Sequence, residues 1–425
     1  MTKVGRAVHR TFHSFHSRNF RLFFAGQAVS VTGTWMQAVA AAWLVLKLTG
    51  SGTALGLVTA LSFAPILVIG PWGGVVADHF DKRRVLIATQ SAAAVLAVAL
   101  WAVVVGGHVQ LWMVYLISFL GGVVIAVDNP TRQSFYVEMV GPRDLPNAVS
   151  LNSAVMTGTR IVGPAVAGIL IATVGTAPVF LVNGVSYLAV IAGLVAMRPA
   201  ELHRTGANGS RKGQLRQGLR FVRSEPTLYR TLVLMAVVFL FAFNFAVLLP
   251  LLAERSFHGN AGTLGWFFSA MGVGSLAGAL AAAGRPHHTE RKLAMFTIAT
   301  AIATVAAAIA PTEALVLVAL AAVGYTSITF MITGNSTLQL TSSDEMRGRV
   351  MALYSVVFLG STPFGSSLSG WVGEHLGPRF AMGAGGSIAL AVGLVALEVL
   401  RRAAPASKEW ARGELNPHPV ARTGS

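Results

Sequence analysis

Long apolar runs alternate with short polar breaks along almost the whole chain. Crossing a hydrocarbon layer takes about 20 mostly apolar residues in a helix. Twelve runs reach or approach that length, at 20–47, 53–77, 84–105, 111–131, 147–173, 177–197, 230–253, 263–283, 293–310, 314–336, 348–373 and 379–399. Several breaks are only a few residues long, such as Leu-Thr-Gly-Ser-Gly from Leu48 and Ala-Pro-Thr-Glu-Ala from Ala310. Short breaks between long helices favour antiparallel neighbours, so the pattern predicts a chain that weaves up and down. The expected fold is an all-α membrane protein of twelve transmembrane helices in two six-helix bundles. The expected divisions are an arm over 1–19, a bundle over 20–197, a linker over 198–229, a second bundle over 230–400 and a tail over 401–425.

Composition supports lipid as the main solvent. The 425 residues are 54% hydrophobic and only 11% charged, against about 25% charged in soluble domains. The net charge of +16 raises nucleic acid as a partner. The placement of the bases argues against it, because they recur on alternate breaks instead of along one groove or helix. Arg6, Arg10, Arg18, Arg21, Lys82, Arg83, Arg84, Arg132, Arg143, Arg347 and Arg349 all fall on one side, with the 198–230 stretch and the tail. Lys47, Arg255 and Arg379 fall on the other, and Arg160 lies inside a run. By the positive-inside bias, the N- and C-termini are expected in the cytoplasm, in a bacterial inner membrane.

Several chemistries find no support. Cysteine is absent, so thiol and disulfide chemistry is excluded. The first twenty residues are too polar for a signal-peptide core. His9, His13 and His16 share a helical face but have no carboxylate or cysteine beside them, so no metal site is expected. No Gly-rich phosphate cradle occurs, which removes ATP as the driving force. No cofactor is implied, and no cluster of nucleophile, base or metal residues marks an enzyme.

In the linker, Leu215, Leu219 and Val222 share one helical face and Arg216, Arg220 and Arg223 another, which predicts a short amphipathic helix on the membrane surface. Val4, Val8, Phe12 and Phe15 repeat that spacing in the arm. The two halves also resemble each other. Gly-Thr-Ala-Leu-Gly from Gly52 parallels Ala-Gly-Thr-Leu-Gly from Ala261, so Leu55-Gly56 corresponds to Leu264-Gly265, and Lys82 to Arg291. A duplicated bundle places a transporter's substrate site near the midplane, between the repeats.

The break Gly-Gly-Val-Val-Ala-Asp-His-Phe-Asp-Lys-Arg-Arg, 73–84, carries two acids and three bases where anchoring requires no acid. Gly74, Asp78, Lys82 and Arg83 resemble the loop motif of the major facilitator superfamily, with His79 and Asp81 departing from it. The resemblance implies a twelve-helix transporter in which Asp78 holds the start of the eleventh helix, near Arg347 and Arg349, when the inner side is shut. His287 stands opposite Asp78 in the second half, so the motif has decayed there. Gly163-Pro164 and Gly168 in the fifth run resemble a motif of antiporting facilitators. Their small side chains also permit close helix contact and a kink. Gly-Gln-Ala-Val-Ser from Gly26, Asp-Asn-Pro-Thr-Arg from Asp128 and Arg-Gly-Arg-Val-Met from Arg347 resemble the facilitator branch of bacterial enterobactin exporters and drug-efflux proteins.

Charges inside the apolar runs are the remaining candidates, because a mid-bilayer arginine costs roughly 3 kcal/mol or more. Arg160 must face protein or water. It could pair with Asp128 for coupling, meet an anionic substrate or form a static bridge. Asp128 could instead pair with Arg132 four residues on, or carry a proton between states. Glu138 and Glu254 lie nearer helix ends. The Arg-x-x-Gln-Gly motif of proton-coupled drug exporters is absent. Candidate cavity residues are Trp35, Gln37, Asn152, Phe243, Asn244, Asn335 and Gln339. The expected function is export of an amphipathic small molecule, drug-like or siderophore-like, by alternating access with proton antiport. Its partners are the substrate, protons and membrane lipids, and a monomer is expected. The alternatives are siderophore or metabolite transport without proton antiport, and a non-transporting membrane sensor.

Overall fold

A computed structural model describes residues 13–203, 214–283 and 289–403. The described residues form thirteen α-helices with short 3₁₀ turns at His13–His16 and Pro199–Glu201 and no strand. The helices are α1 (Arg18–Thr49), α2 (Gly52–His79), α3 (Lys82–Val105), α4 (Leu111–Val174), α5 (Ala177–Val195), α6 (Gln214–Ser224), α7 (Pro226–Phe241), α8 (Phe245–Leu251), α9 (Ala261–Ala283), α10 (Glu290–Ile309), α11 (Glu313–Thr341), α12 (Asp344–His375) and α13 (Pro378–Ala403).

Polar residues at the breaks start the helices. Ser17, Ser51, Asp81, Thr289 and Thr312 each accept a backbone N–H of the first turn with the side chain. Such caps satisfy donors that a helix start leaves unpaired. Gly50 ends α1 in the left-handed region at φ 60°, where a side chain would clash.

Eleven helical spans among the described residues are long and apolar enough to cross a membrane. One of them, α4, has 64 residues and would be about 96 Å long if straight. It cannot be one crossing. It breaks at Gly141, whose φ of 76° and ψ of 167° are not helical. Two limbs, 111–140 and 142–174, therefore supply the fourth and fifth crossings, and the described residues make twelve in all. The fourth predicted break, 132–146, is thus a single residue, Gly141. The predicted seventh run, 230–253, is split into α7, α8 and a π turn at Leu252–Ser256. At the split, the Asn244 side chain donates to the Leu240 carbonyl at 2.8 Å, taking the acceptor that the continuing helix would use.

The linker helix is present as α6, but it does not simply lie on a membrane surface. Val222 is buried in the core of the second half, and a Cβ at Gly218 would meet Arg349 at 3.1 Å. Residues 1–12, 204–213, 284–288 and 404–425 lie outside the description. They include Val4, Val8, Phe12, His9 and His287.

Two helix pairs make most of the contact between the halves: α2 with α12, and the second limb of α4 with α9. Both pairs approach closely toward the end that carries Gly50, Gly175 and Glu374, whereas a Cβ at Gly74, Gly158 or Gly348, toward the basic breaks, would meet no atom within 4 Å. Large apolar side chains such as Val68, Trp72, Ile169 and Leu280 are exposed around the outside. A water-soluble surface this apolar would associate or aggregate, whereas lipid accepts it.

Candidate functional site

The tight end is sealed by backbone approach and by one carboxylate. Glu374, at the end of α12, accepts from the Ser51 hydroxyl at 2.7 Å and the Thr53 N–H at 2.8 Å. These donors lie at the N-terminus of α2, where unpaired N–H groups and the helix dipole favour an anion. Arg255 donates to the carbonyl oxygens of Glu374, at 2.8 Å, and of Gly50. Farther along the same crossing, Ser366 donates to the Gly56 carbonyl at 3.2 Å. In the other crossing, a Cβ at Gly168 would sit 3.0 Å from the Cα of Gly265. Gly56 and Gly265 are the two positions matched by the internal repeat, and each meets the opposite half.

The basic end is open between the halves. Gly74, Gly158 and Gly348 face open space. Asp78 is half-buried and bonds to no other described residue. Arg347 instead donates to the Gln339 carbonyl at 3.2 Å, and Arg349 to the Met346 sulfur at 2.9 Å. Lys82 and Arg83 are held within the first half. Lys82 pairs with Glu138 at 2.6 Å in a buried bridge, and Arg83 donates to the Leu194 and Val195 carbonyls at the end of α5. The residues expected to form a gate are therefore two separated groups, one on each half. Asp81 caps α3 by accepting the Arg84 N–H at 3.0 Å, which explains an acid where the facilitator motif has glycine.

Between the ends, a cavity of ≈ 220 Å³ is lined by both halves. The first half contributes Thr59 and Phe63 from α2 and Arg160 from α4. The second contributes Phe239, Phe243, Asn244, Ser327, Phe358 and neighbours. The Arg160 guanidinium lies 5.1 Å from the centre of the Trp35 ring and has no hydrogen bond or ion pair with a described residue. Phe239 packs edge-on against Phe243 at 5.3 Å and Phe358 at 4.9 Å, so the facing wall is aromatic.

The pattern of the transmembrane secretion effector family, a branch of the major facilitators, matches residues 9–423. The chain belongs to that family. It is a multi-pass membrane transporter, not an enzyme. It is 28% identical over 81% of its length to the multidrug efflux pump Tap of Mycolicibacterium fortuitum, covering 87% of that protein. It is 24% identical to the enterobactin exporter EntS of Shigella boydii, covering 90% of this chain and 91% of that one. It is 23% identical to the staphyloferrin A transporter of Staphylococcus aureus, over 60% of this chain and 64% of that protein. Its fold matches the crystal structure of a POT family transporter in complex with a thioalcohol-conjugated peptide, at TM-score 0.74 and 9% identity over 91% of this chain and 96% of that one.

The buried charges of this family member separate where the sequence allowed them to pair. Asp128 does not meet Arg160. It is 3% exposed and receives hydrogen bonds from Thr89 and Gln90, each at 2.8 Å, and from Arg132. Arg132 also donates to Gln27 at 2.9 Å. One helical turn puts Asp128 and Arg132 on the same face of one limb, whereas Arg160 leaves the other limb toward the cavity. The helix-five motif serves two contacts. A Cβ at Gly163 would strike the Trp35 Cβ at 2.6 Å, while Gly168 approaches α9. Pro164 lies between them, and its carbonyl oxygen stands 2.9 Å from where a Gly265 Cβ would be.

The cavity candidates divide likewise. Phe243 and Asn244 line it, and Trp35 holds Arg160. Gln37 accepts from Asn183 at 2.7 Å, tying α1 to α5. Asn152 accepts from the Tyr136 hydroxyl at 2.7 Å across the Gly141 break. Asn335 and Gln339 bond to each other one turn apart on α11. Among the described residues no group of three or more metal-ligating side chains occurs. Of the aromatic wall only Phe243 was legible beforehand; Glu374, Ser327, Phe239 and Phe358 were not. The four-residue spacing of Gly52 and Gly56 was the available signal for the Glu374 crossing.

Proposed function

We propose that this transporter exports an amphipathic small molecule by rocking its two halves about the central cavity, with entry to proton antiport through Asp128. The basic, open end is assigned to the cytoplasm of a bacterial inner membrane, so that both termini face inside. The observation that carries the reading is the cavity itself. Both halves line it, the Glu374 contacts and the glycine crossings join the halves toward one end of the bundle, and Gly74, Gly158 and Gly348 face open space toward the other. A mainly apolar chamber with few polar groups suits an organic amphiphile. The efflux pump and siderophore exporter among its relatives support the outward direction and a drug-like or siderophore-like cargo. Asp78, Arg347 and Arg349 close the inner side in the opposite state, Lys82 and Arg83 anchor the Asp78 break, and a monomer suffices for the cycle.

A second reading, transport without proton antiport, is favoured by one observation. Asp128 is already charge-paired with Arg132 and is not part of the cavity lining. Everted membrane vesicles decide between them. Antiport predicts that an imposed inward-acid gradient drives drug accumulation and that Asp128→Asn abolishes it. Accumulation that ignores the gradient would favour the second reading, and no accumulation of any amphiphile in a broad panel would refute export.

A further inference from the structure

Arg160 is the only charged residue lining the central cavity among the described residues. A charge at that depth is unfavourable unless partners surround it, and its contact with the face of the Trp35 ring compensates only in part. A guanidinium has five N–H donors, and no described residue accepts any of them. Trp35 orients the group without neutralising it. No carboxylate lines the chamber, so the local field favours anions and opposes cations.

A second observation lies on the opposite half. Ser327, from α11, lines the same cavity, is 8% exposed, and its hydroxyl has no hydrogen-bond partner. A buried hydroxyl left unpaired is destabilising, and a bound polar atom would satisfy it. Beside it stand the edge-to-face rings of Phe239, Phe243 and Phe358. The cation thus belongs to one half and the aromatic wall to the other.

We propose that the cavity is a binding site for an aromatic organic anion. Its acidic group pairs with Arg160, its ring lies against the phenylalanine wall, and the Ser327 hydroxyl donates to a further oxygen. Such a ligand touches both halves, so it can bias their relative position. The chamber of ≈ 220 Å³ is smaller than a typical drug pocket of about 300–1,000 Å³. It therefore takes one or two fused rings, with any remainder extending toward the open end. This assignment rests on the reading of the cavity as the transport site.

The test is equilibrium dialysis of the purified full-length chain in detergent against four radiolabelled probes: 1-naphthylacetate, 1-naphthylacetamide, 1-naphthylmethylammonium and acetate. Naphthylacetate is expected to bind at least about tenfold more tightly than the other three, as one charge-assisted contact supplies. Arg160→Gln should bring naphthylacetate down to the level of the neutral amide, Arg160→Lys should keep part of the preference, and Ser327→Ala should weaken the anion severalfold. Equal or tighter binding of the ammonium probe, equal binding of acetate, no binding of any probe at millimolar concentration, or an intact preference in Arg160→Gln would each overturn the proposal. Dialysis does not depend on transport. Anion binding without accumulation in vesicles would defeat the export reading alone, and gradient-driven export of cations unaffected by Arg160→Gln would defeat this one alone.

Discussion

The bases that break the positive-inside pattern each have a specific structural partner. Lys47 lies 3.7 Å from Glu254, Arg255 holds the carbonyls of Gly50 and Glu374, and Arg379 donates to Ala308 and Ala310 beneath Phe257. A charge retained against topology is retained for its contacts. The same logic holds in the bundle interior, where Asp128 and Arg132 are both buried and share a network with Thr89, Gln90 and Gln27. Removing one member leaves the other charge unpaired, which costs about 3–5 kcal/mol, whereas removing both can be nearly neutral. Asp128→Asn is therefore expected to lower the unfolding temperature in detergent sharply, with Asp128→Asn/Arg132→Gln recovering much of the loss. Simple addition of the two single effects in that cycle would show that the pair is not coupled. The i, i+4 spacing made this pair readable in advance. The isolation of Arg160 was not readable, because one sequence does not say which way each limb of α4 is turned.

At the scale of elements, α2 and α12 form a crossing that opens at one end and closes at the other. Glu374 holds the closed end by charge-assisted hydrogen bonds to the start of α2. Glutamine in its place can still accept both hydrogen bonds but loses the interaction of a full charge with the helix terminus. Together with the weaker bonds this amounts to about 1–2 kcal/mol, enough to shift a two-state ratio about tenfold. Glu374→Gln should make Thr59→Cys, which lines the cavity, react about tenfold faster with an impermeant thiol reagent applied from the Glu374 side. An unchanged rate would show that the latch contributes nothing to closure. The second crossing has less tolerance. A valine at Gly168 would press on the backbone of Gly265 at 3.0 Å, and backbone cannot swing aside as a flexible side chain can. Gly168→Val is expected to insert and fold but to hold the halves apart, losing transport while its cavity becomes labelled from the Glu374 side. Full transport by this variant would contradict the tight crossing. Helix existence and length were legible from hydropathy alone. The gap expected over 132–146 contains the break at Gly141 but is far longer than it, and the interruption at Asn244 was missed, because it depends on local backbone geometry inside continuous apolar sequence.

Across the whole molecule, the proposed rocking cycle makes this arrangement one of two states. Asp78 and the Arg347–Arg349 segment lie on opposite halves and do not pair, while the far end is latched. The alternate state would exchange these contacts, so Asp78→Asn should leave the protein folded and inserted yet reduce efflux severalfold in vesicles. Undiminished efflux would remove Asp78 from the gate. The assignment of sides is tested by Lys47→Cys and Lys212→Cys, which should react with an impermeant label from opposite faces of the membrane. The pseudo-repeat was legible in Gly56 and Gly265, and the structure shows both at equivalent crossings between halves.

Periodicity, run length and the placement of bases by themselves determined that this chain is a twelve-crossing membrane bundle with a polar linker at its middle. Those properties follow from solvation along the chain, since each residue's transfer to lipid is nearly independent of distant neighbours. Which charges pair, which lie alone in the cavity and which end is shut were decided only by tertiary structure. Helix rotation and the contact between halves bring together groups hundreds of residues apart, such as Ser51 and Glu374, and no local pattern encodes that proximity.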